Sequence, residues 1–193
     1  MKKILVIDNY DSFVFNIVQL LREASMVPQF DVVRNDRIDF NLLGEYSGII
    51  LSPGPGLPSE AGALLRLINY CKLTHPMLGI CLGHQAIAEC FGASLYNLPY
   101  PLHGHRSVLH RTNEGDNLFA GISGSITVGR YHSWVIDPAT LPSQLIVSSV
   151  DEQHNIMSFY HCDLPIHGVQ FHPESFISDC GPQIMENWLK SLL

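Results

Sequence analysis

The alternation of strand and helix patterns in the first half of the chain is the feature that most limits how it can fold. Apolar side chains at helical spacing predict helices that begin near Asp11–Ser12, at Pro58 and at Leu82. Strands that alternate with helices pair in parallel and are covered on both faces. The pattern therefore predicts an α/β fold with a central, mostly parallel, open sheet flanked by helices. Short apolar runs predict the strands of that sheet at residues 3–7, 29–33, 48–51 and 77–80.

Beyond Gly92 the pattern changes to short β-rich segments separated by Gly, Pro, Asn and Asp. We expect these segments to add antiparallel or mixed strands, and Gly181–Pro182 to begin a last helix. Because no linker, repeat or low-complexity tract divides the 193 residues, we expect a single domain over residues 1–193. The β-rich segments are residues 107–110, 125–131, 144–150, 156–161 and 166–171.

Composition narrows the classes of partner. A formal charge of −7 and the absence of any run of Lys or Arg argue against nucleic acid and against an acidic membrane surface. No segment approaches the roughly 18 apolar residues of a membrane span. The five cysteines include no CxxC pair, which argues against a disulfide framework and favours a reducing cytoplasm. We expect a small molecule or another protein as partner.

One cysteine occupies a corner between a predicted strand and a predicted helix. In the stretch Gly79-Ile80-Cys81-Leu82-Gly83, glycines stand two residues before and two residues after the thiol. This is the spacing of a nucleophile elbow, in which a sharp turn lifts the nucleophile to the carboxyl end of a parallel strand. A helix N-terminus there favours thiolate, the nucleophilic form. The alternative is that Cys81 is a small buried apolar residue, which we expect of Cys71, Cys90 and Cys162.

A thiol nucleophile needs a base, and the base needs a group that orients it. His172 and Glu174 lie two residues apart at the end of a predicted strand, where both side chains can point to the same side. Pro173 between them stiffens the backbone. Glu174 would hold the imidazole tautomer. The alternative for this pair is a solvated turn.

The stretch Leu51-Ser52-Pro53-Gly54-Pro55-Gly56 predicts a rigid turn after a strand. Because proline has no N–H group, only the glycine amides of the PGPG segment can donate. Two amides aimed at one point form an oxyanion hole. An ordinary connection between a strand and a helix is the alternative interpretation.

Four motifs in the order SPGPG, GICLGHQ, RYHS and VQFHPES resemble those of the class I (triad) glutamine amidotransferases, and the resemblance covers essentially the whole chain. It implies a flavodoxin-like α/β fold. The opening DNYDSF resembles the branch that serves chorismate-using synthases, namely the glutaminase components of anthranilate synthase and of aminodeoxychorismate synthase. The sequence does not decide between those two, and some members serve both.

The resemblance implies roles for individual residues. Cys81 would attack the carboxamide of L-glutamine, His172 would carry the proton and Glu174 would orient His172. The oxyanion would meet the backbone N–H groups of Gly54 and Leu82. Ammonia would leave, and water would hydrolyse a γ-glutamyl thioester. No metal or cofactor is implied. The substrate would be held by Gly54, Pro55, Gly56, Gln85, Ser133 and Trp134.

The resemblance also implies a protein partner. Ammonia becomes ammonium in water, so it would pass through a shielded path into a chorismate-binding synthase subunit, which we also expect to activate the glutaminase. Three departures from the branch bear on that pairing: His105 replaces a usual lysine, Trp134 a usual leucine, and Tyr160 a frequent arginine. A γ-glutamyl hydrolase, a cysteine peptidase and a non-catalytic regulatory subunit remain alternatives.

Overall fold

The computed structural model describes residues 3–26 and 28–193. The first half contains β1 (Lys3–Asp8), α1 (Val14–Glu23), β2 (Phe30–Arg34), β3 (Tyr46–Leu51), α2 (Leu64–Cys71), β4 (Met77–Ile80) and α3 (Leu82–Cys90). The second half contains β5 (Leu95–Asn97), β6 (His105–Arg111), β7 (Ile126–Arg130), β8 (Trp134–Ile136), β9 (Leu145–Val150), β10 (Ile156–His161), β11 (Ile166–Val169) and α4 (Gly181–Lys190).

Nine of these strands form one twisted sheet in the order β2-β1-β3-β4-β11-β10-β9-β6-β7. The strands from β2 to β11 are parallel, and those from β11 to β7 are antiparallel. The predicted fold class is therefore confirmed. Strands β3, β4 and β11 are neighbours, so the loops that follow them meet at one edge of the sheet, where open α/β sheets bind ligands.

The core consists of two apolar clusters, one on each face of the sheet. Along β1, Ile4 and Val6 belong to the cluster under α1 and α4, whereas Leu5 and Ile7 belong to the cluster under α2 and α3. This alternation follows from the two-residue period of a strand. Trp188 of α4 is fully buried. Both faces are covered, as a parallel sheet requires.

Two predicted helix starts were wrong. Asp11 Oδ1 accepts a hydrogen bond from the backbone N–H of Phe13 (2.8 Å) and so caps a turn, and α1 begins at Val14. The segment from Pro58 forms only a short 3₁₀ turn, Pro58–Glu60, and α2 begins at Leu64. The break lies at Gly62, which has a φ of +55° and is packed against Asn35, so the chain cannot continue as a regular helix.

Strands β5 and β8 form a separate antiparallel pair that the sequence did not predict. Each has three residues, which is too short for a recognisable alternation of apolar and polar side chains. In the described part of the chain, no helix has the length and apolar character needed to cross a membrane.

The elbow between β4 and α3 depends on the absence of side chains at two glycines. A Cβ atom on Gly83 would lie 2.4 Å from the carbonyl oxygen of Leu51, and one on Gly79 would lie 2.6 Å from the backbone of Gly83. Both contacts involve backbone atoms, which cannot swing aside. Helix α3 therefore packs directly on β3 and β4, and this contact sets the position of Cys81.

We predict that Gly83→Ala lowers the free energy of unfolding by about 1–3 kcal/mol, because the added methyl group overpacks the elbow. Urea denaturation measures the loss. Gly44→Ala is the matched control, since a Cβ atom there would meet no atom within 4 Å. Equal stability of Gly83→Ala and the wild type would contradict this account of the elbow.

His84 of α3 is a buried histidine beneath the sheet. Its ring stacks on Phe159 of β10 with 4.7 Å between ring centroids. A Cβ atom on Gly168 of β11 would lie 2.7 Å from His84 Nδ1, so a glycine is needed at that position. Burial lowers the pKa of His84 to about 3.

This lowered pKa predicts a pH-dependent stability. Below about pH 6.5 the unfolded chain binds a proton at His84 that the folded chain excludes down to about pH 3, so stability falls as the pH falls through that window. His84→Leu should flatten the plot of unfolding free energy against pH by about 1.4 kcal/mol per unit between pH 6 and 4. An unchanged slope in His84→Leu would refute the assignment.

Candidate active site

The sulfur of Cys81 stands on the corner between β4 and α3. Cys81 has a φ of +52° and a ψ of −100°, a conformation that non-glycine residues rarely adopt and that costs about 1–3 kcal/mol. Hydrogen bonds at both sides fix it: its N–H donates to Val169 O (2.8 Å) and its C=O accepts from Gln85 N–H (3.1 Å). The residue is 5% exposed. The strained corner directs a nearly buried thiol to the carboxyl edge of the sheet.

His172 and Glu174 lie in the loop that follows β11. Nδ1 of His172 is 2.7 Å from Oε1 of Glu174, and both side chains are buried. The backbone of this loop is held to the end of β7, because His172 N–H donates to Gly129 O (3.0 Å) and Ser178 Oγ bonds to His172 O (2.6 Å). Burial excludes the solvated-turn interpretation of this pair.

Two aromatic rings confine the imidazole of His172. The rings of Phe13 and Tyr131 each lie 4.9 Å from it in edge-on geometry, and they lie 4.9 Å from each other. The hydroxyl of Tyr131 is 3.1 Å from Ser175 Oγ. Sequence reasoning missed both contacts: DNYDSF and RYHS pointed to the family but not to the imidazole. With Glu174 on one ring nitrogen, these rings leave one orientation for His172.

The charge state of His172 reflects two opposed effects. Burial alone would lower the pKa of His172, but the Glu174 carboxylate and the Cys81 sulfur outweigh burial and raise that pKa well above its usual value. Nε2 is buried and has no hydrogen-bond partner among the described residues. The imidazole therefore has a carboxylate on Nδ1 and an unoccupied Nε2 close to a thiol.

Backbone amides border the sulfur on another side. Gly54 approaches α3 so closely that a Cβ atom there would lie 2.5 Å from Leu82 Cδ2 and 2.6 Å from Asn9 Cβ. Leu82 is the first residue of α3, so its N–H has no acceptor within the helix. Within residues 3–26 and 28–193, neither amide donates a backbone hydrogen bond. Two free donors therefore flank the elbow.

A cavity of about 190 Å³ opens next to Cys81. It is smaller than the roughly 300–1,000 Å³ of pockets for drug-sized ligands, and so suits a small metabolite. Both the PGPG turn and the segment around Trp134 contribute to its lining. Its lining comprises Gly54, Pro55, Gly56, Cys81, Gln85, Pro101, Leu102, His103, Tyr131, His132, Ser133 and Trp134. All the predicted substrate-contacting residues line it.

Gln85 of α3 is one of the residues that line this cavity. Its Nε2 donates to the carbonyl oxygen of Trp134 (2.8 Å) and to Oε1 of Gln170 (3.0 Å). Both protons of the amide are therefore used within the protein, and Oε1 is the polar atom that the side chain can offer to a ligand. The backbone carbonyl of Ser133 accepts from Leu98 N–H (2.7 Å), which holds the segment in place.

A buried ion pair contacts the lining of the cavity through His132. Nη1 of Arg130 lies 2.6 Å from Oδ2 of Asp151, and Nε of Arg130 donates to Nε2 of His132 (3.1 Å). Burial, followed by the charge of Arg130, lowers the pKa of His132 to about 3. His132 is thus neutral and carries its proton on Nδ1, which donates to Trp134 O (3.0 Å). RYHS contained these residues, but their burial could not be read from sequence.

The three departures from the branch pattern lie in different surroundings. His105 is exposed on β6, Trp134 lines the cavity, and Tyr160 OH is 3.4 Å from Asn113 Oδ1. The described residues contain one group of possible metal ligands, His161, Cys162 and Asp163. Nδ1 of His161 already accepts two backbone N–H groups, and none of the three lines the cavity.

Comparison with known proteins places this geometry in a family. The model for "Glutamine amidotransferase class-I" matches residues 5–192. Anthranilate synthase component 2 of Mycobacterium tuberculosis is 45% identical over 97% of this chain and 81% of its own length. Aminodeoxychorismate/anthranilate synthase component 2 of Bacillus subtilis is 40% identical over 97% of this chain and 96% of its own.

A solved structure agrees with these matches. A Thermoplasma acidophilum protein described as a GMP synthase subunit has a TM-score of 0.87 to this chain at 31% identity, covering all of this chain and 94% of its own. The family match spans nearly every residue and includes every segment that lines the cavity. The chain therefore belongs to the class-I glutamine amidotransferase family and is an enzyme of that family.

Proposed function

We propose that this chain is the glutaminase component of a chorismate-using synthase, with Cys81, His172 and Glu174 as its catalytic residues. The observation that carries the proposal is a strained cysteine elbow that lines one small cavity and has a buried His–Glu pair and two free backbone amides beside it. Both halves of the chain contribute to this cavity, which supports a single domain over residues 1–193. Five free cysteines support a reducing, cytoplasmic location.

The proposed first half-reaction uses the groups beside the elbow. The Cys81 proton passes to Nε2 of His172, and the sulfur forms a bond to the carboxamide carbon of glutamine. The carbonyl π electrons move to oxygen, and the oxyanion accepts hydrogen bonds from the N–H groups of Gly54 and Leu82. Glu174 stabilises the imidazolium through Nδ1. The C–N bond then breaks, the nitrogen takes the proton from His172, and ammonia leaves a γ-glutamyl thioester.

The second half-reaction uses the same groups. A water molecule gives its proton to Nε2 of His172 and attacks the thioester carbon. The C–S bond breaks with the sulfur leaving as thiolate, the sulfur takes back the proton held by His172, and glutamate leaves. Gln85 Oε1 and the backbone at Ser133 and Trp134, which line the cavity, would hold the amino-acid end of glutamine. Pro55 and Gly56 of the PGPG turn line the same cavity and would contact the substrate as well.

Replacement of the proposed catalytic residues should lower the rate of ammonia release by a factor that depends on the residue. Cys81→Ser should lower kcat by about 10⁴-fold or more, because the hydroxyl is a much weaker nucleophile at neutral pH. Glu174→Gln should lower kcat by about 10³- to 10⁴-fold, because an amide cannot stabilise the imidazolium or fix the tautomer. Coupled glutamate dehydrogenase assays measure the rates.

Cys162→Ser, an exposed thiol, serves as the control and should retain full activity. Trapping of a thioester on the Cys81 peptide with free glutamine would separate glutaminase from peptidase and γ-glutamyl hydrolase chemistry. An active Cys81→Ser variant, or a wild-type enzyme that cleaves γ-glutamyl peptides but not glutamine, would overturn the proposal.

The partner assignment is supported by surface aromatic residues as well as by the names of the relatives. Phe176, two residues after Glu174, is 88% exposed, and Phe15 on α1 is 78% exposed. Asn16, next to Phe15, bonds to Glu174 O (3.2 Å), so the two aromatic residues flank the same region. Exposed aromatic side chains are typical of protein-binding surfaces. We infer that the chorismate-binding subunit covers this region and receives the ammonia.

This partner assignment predicts a specific product. The chain mixed with a chorismate-binding synthase subunit should form anthranilate or aminodeoxychorismate from chorismate and glutamine, and glutaminase activity should rise in the complex. Product fluorescence and chromatography distinguish the two acceptor reactions. Phe15→Ser with Phe176→Ser should weaken co-elution, because both rings lose their apolar contact area.

Leu73→Ser is the matched control for the partner surface. Leu73 is 75% exposed but follows α2 at the amino-terminal edge of the sheet, opposite the cavity. It should leave complex formation unchanged. If neither class of synthase subunit bound or activated the chain, the partner assignment would fail even though the glutaminase chemistry could stand.

A further inference from the structure

Gln170 is a fully buried polar residue in the VQFHPE segment that the proposed mechanism does not use. Its Nε2 lies 3.6 Å from the Cys81 sulfur, within the range of a hydrogen bond to sulfur. Its Oε1 accepts from Gln85 Nε2 (3.0 Å), and its backbone N–H donates to Met157 O (2.8 Å). The side chain is therefore clamped between the back of the cavity and the proposed nucleophile.

The direction of the Gln170 amide is fixed by a chain of hydrogen bonds that begins at Arg130. A guanidinium only donates, so Nε2 of His132 must accept from Arg130, and the His132 proton lies on Nδ1. That Nδ1–H donates to Trp134 O. The hydrogen bonds from Arg130 to Trp134 therefore have only one possible donor–acceptor direction.

The hydrogen bonds that continue from Trp134 fix the orientations of the Gln85 and Gln170 side-chain amides. The carbonyl of Trp134 only accepts, so the nitrogen of Gln85 must face it. The second proton of that nitrogen then points at Gln170, which must present its oxygen to Gln85. The Gln170 nitrogen is left facing the sulfur, so the amide offers Cys81 a donor and not an acceptor.

We propose that Gln170 is a catalytic residue whose side-chain N–H donates to the Cys81 sulfur and stabilises the thiolate before attack. Arg130, His132 and Gln85 are positioning residues that hold the amide in this orientation. A hydrogen bond to a charged acceptor is stronger than one to a neutral acceptor, so the Gln170 amide favours the ionised sulfur. This inference rests on Cys81 being the nucleophile of the proposed function.

The sulfur has other ionisable neighbours, and the experiment must separate their effects from that of Gln170. His172 approaches the sulfur from the loop after β11, and Glu174 is bonded to the other side of the ring. The charges of Glu174 and of the sulfur raise the pKa of His172. His132, which lines the cavity, is kept uncharged by burial and by the charge of Arg130, and His84, on α3, is kept uncharged by burial. Gln170 carries no charge, and its side-chain hydrogen bonds are to Gln85 and Cys81, so its replacement removes no charge and no direct hydrogen bond from these four groups.

The test is the alkylation rate of Cys81 with iodoacetamide, resolved peptide by peptide by mass spectrometry from pH 5 to 9. Gln170→Met keeps the length and burial of the side chain but cannot donate. We expect Cys81 alkylation at pH 7 to slow about fivefold, the effect of one ordinary hydrogen bond. The rate profile should also move to higher pH, and kcat for glutamine should fall by a similar factor.

Ser149→Ala is the matched control, because it removes a buried hydrogen bond to Ser158 (2.6 Å) without involving the sulfur. It should leave the alkylation profile unchanged. Thermal unfolding verifies that both variants fold. An unchanged alkylation rate and pH profile in folded Gln170→Met overturns this inference alone, whereas a wild-type enzyme without glutaminase activity overturns the proposed function.

A second measurement needs no variant at position 170. In protein labelled with ¹⁵N-glutamine, the side-chain N–H resonance of Gln170 should shift over the pH range in which Cys81 becomes reactive, and should shift again on alkylation. A resonance that stays constant through both changes contradicts the hydrogen bond to sulfur.

Discussion

The active site depends on the parallel pairing of β4 with β11. Gly79 pairs with Gly168 and Ile80 with Val169, so the two strands end at the same level and their loops emerge side by side. Cys81 follows one strand and His172 the other, 91 positions apart in sequence but joined through the hydrogen bond from Cys81 N–H to Val169 O. Glycines at 79, 83 and 168 allow α3 to press on both strands, so the register of the sheet determines the distance from thiol to imidazole.

The polar interior beneath the cavity is the second constraint. Arg130 and Asp151 are almost inaccessible, and burying such a pair without further hydrogen bonds costs several kcal/mol. Here Ser107 and His132 accept hydrogen bonds from Arg130, and Asn155 donates one to Asp151. These hydrogen bonds offset much of the cost of burying the pair. Burial together with the guanidinium keeps His132 neutral, and the guanidinium gives the hydrogen bonds from Trp134 to Gln170 a single direction. One buried charge thus orients an array that ends at the nucleophile.

Much of this fold could be predicted from local patterns, because strand alternation, helical spacing and the Gly-x-Cys-x-Gly elbow are encoded within a few residues. The sheet class, the last helix and the His–Glu pair all have such signals. The break after Pro58 has none, since it results from Gly62 packing on Asn35. Strands β5 and β8 were too short to recognise, and the burial of Arg130 and the contact of Gln170 with Cys81 arise from residues brought together by the whole sheet.

The ring of Phe13 connects the base to the surface of the enzyme. It contacts the imidazole from a turn that Asp11 caps, and its close neighbours in sequence, Tyr10 and Phe15, are largely exposed. Pressure on this short segment reaches His172 through the ring of Phe13, both directly and through Tyr131, which contacts both rings. The position of the buried imidazole is therefore coupled to the protein surface at residues 10–15. A molecule that contacts this segment would affect how His172 is aligned.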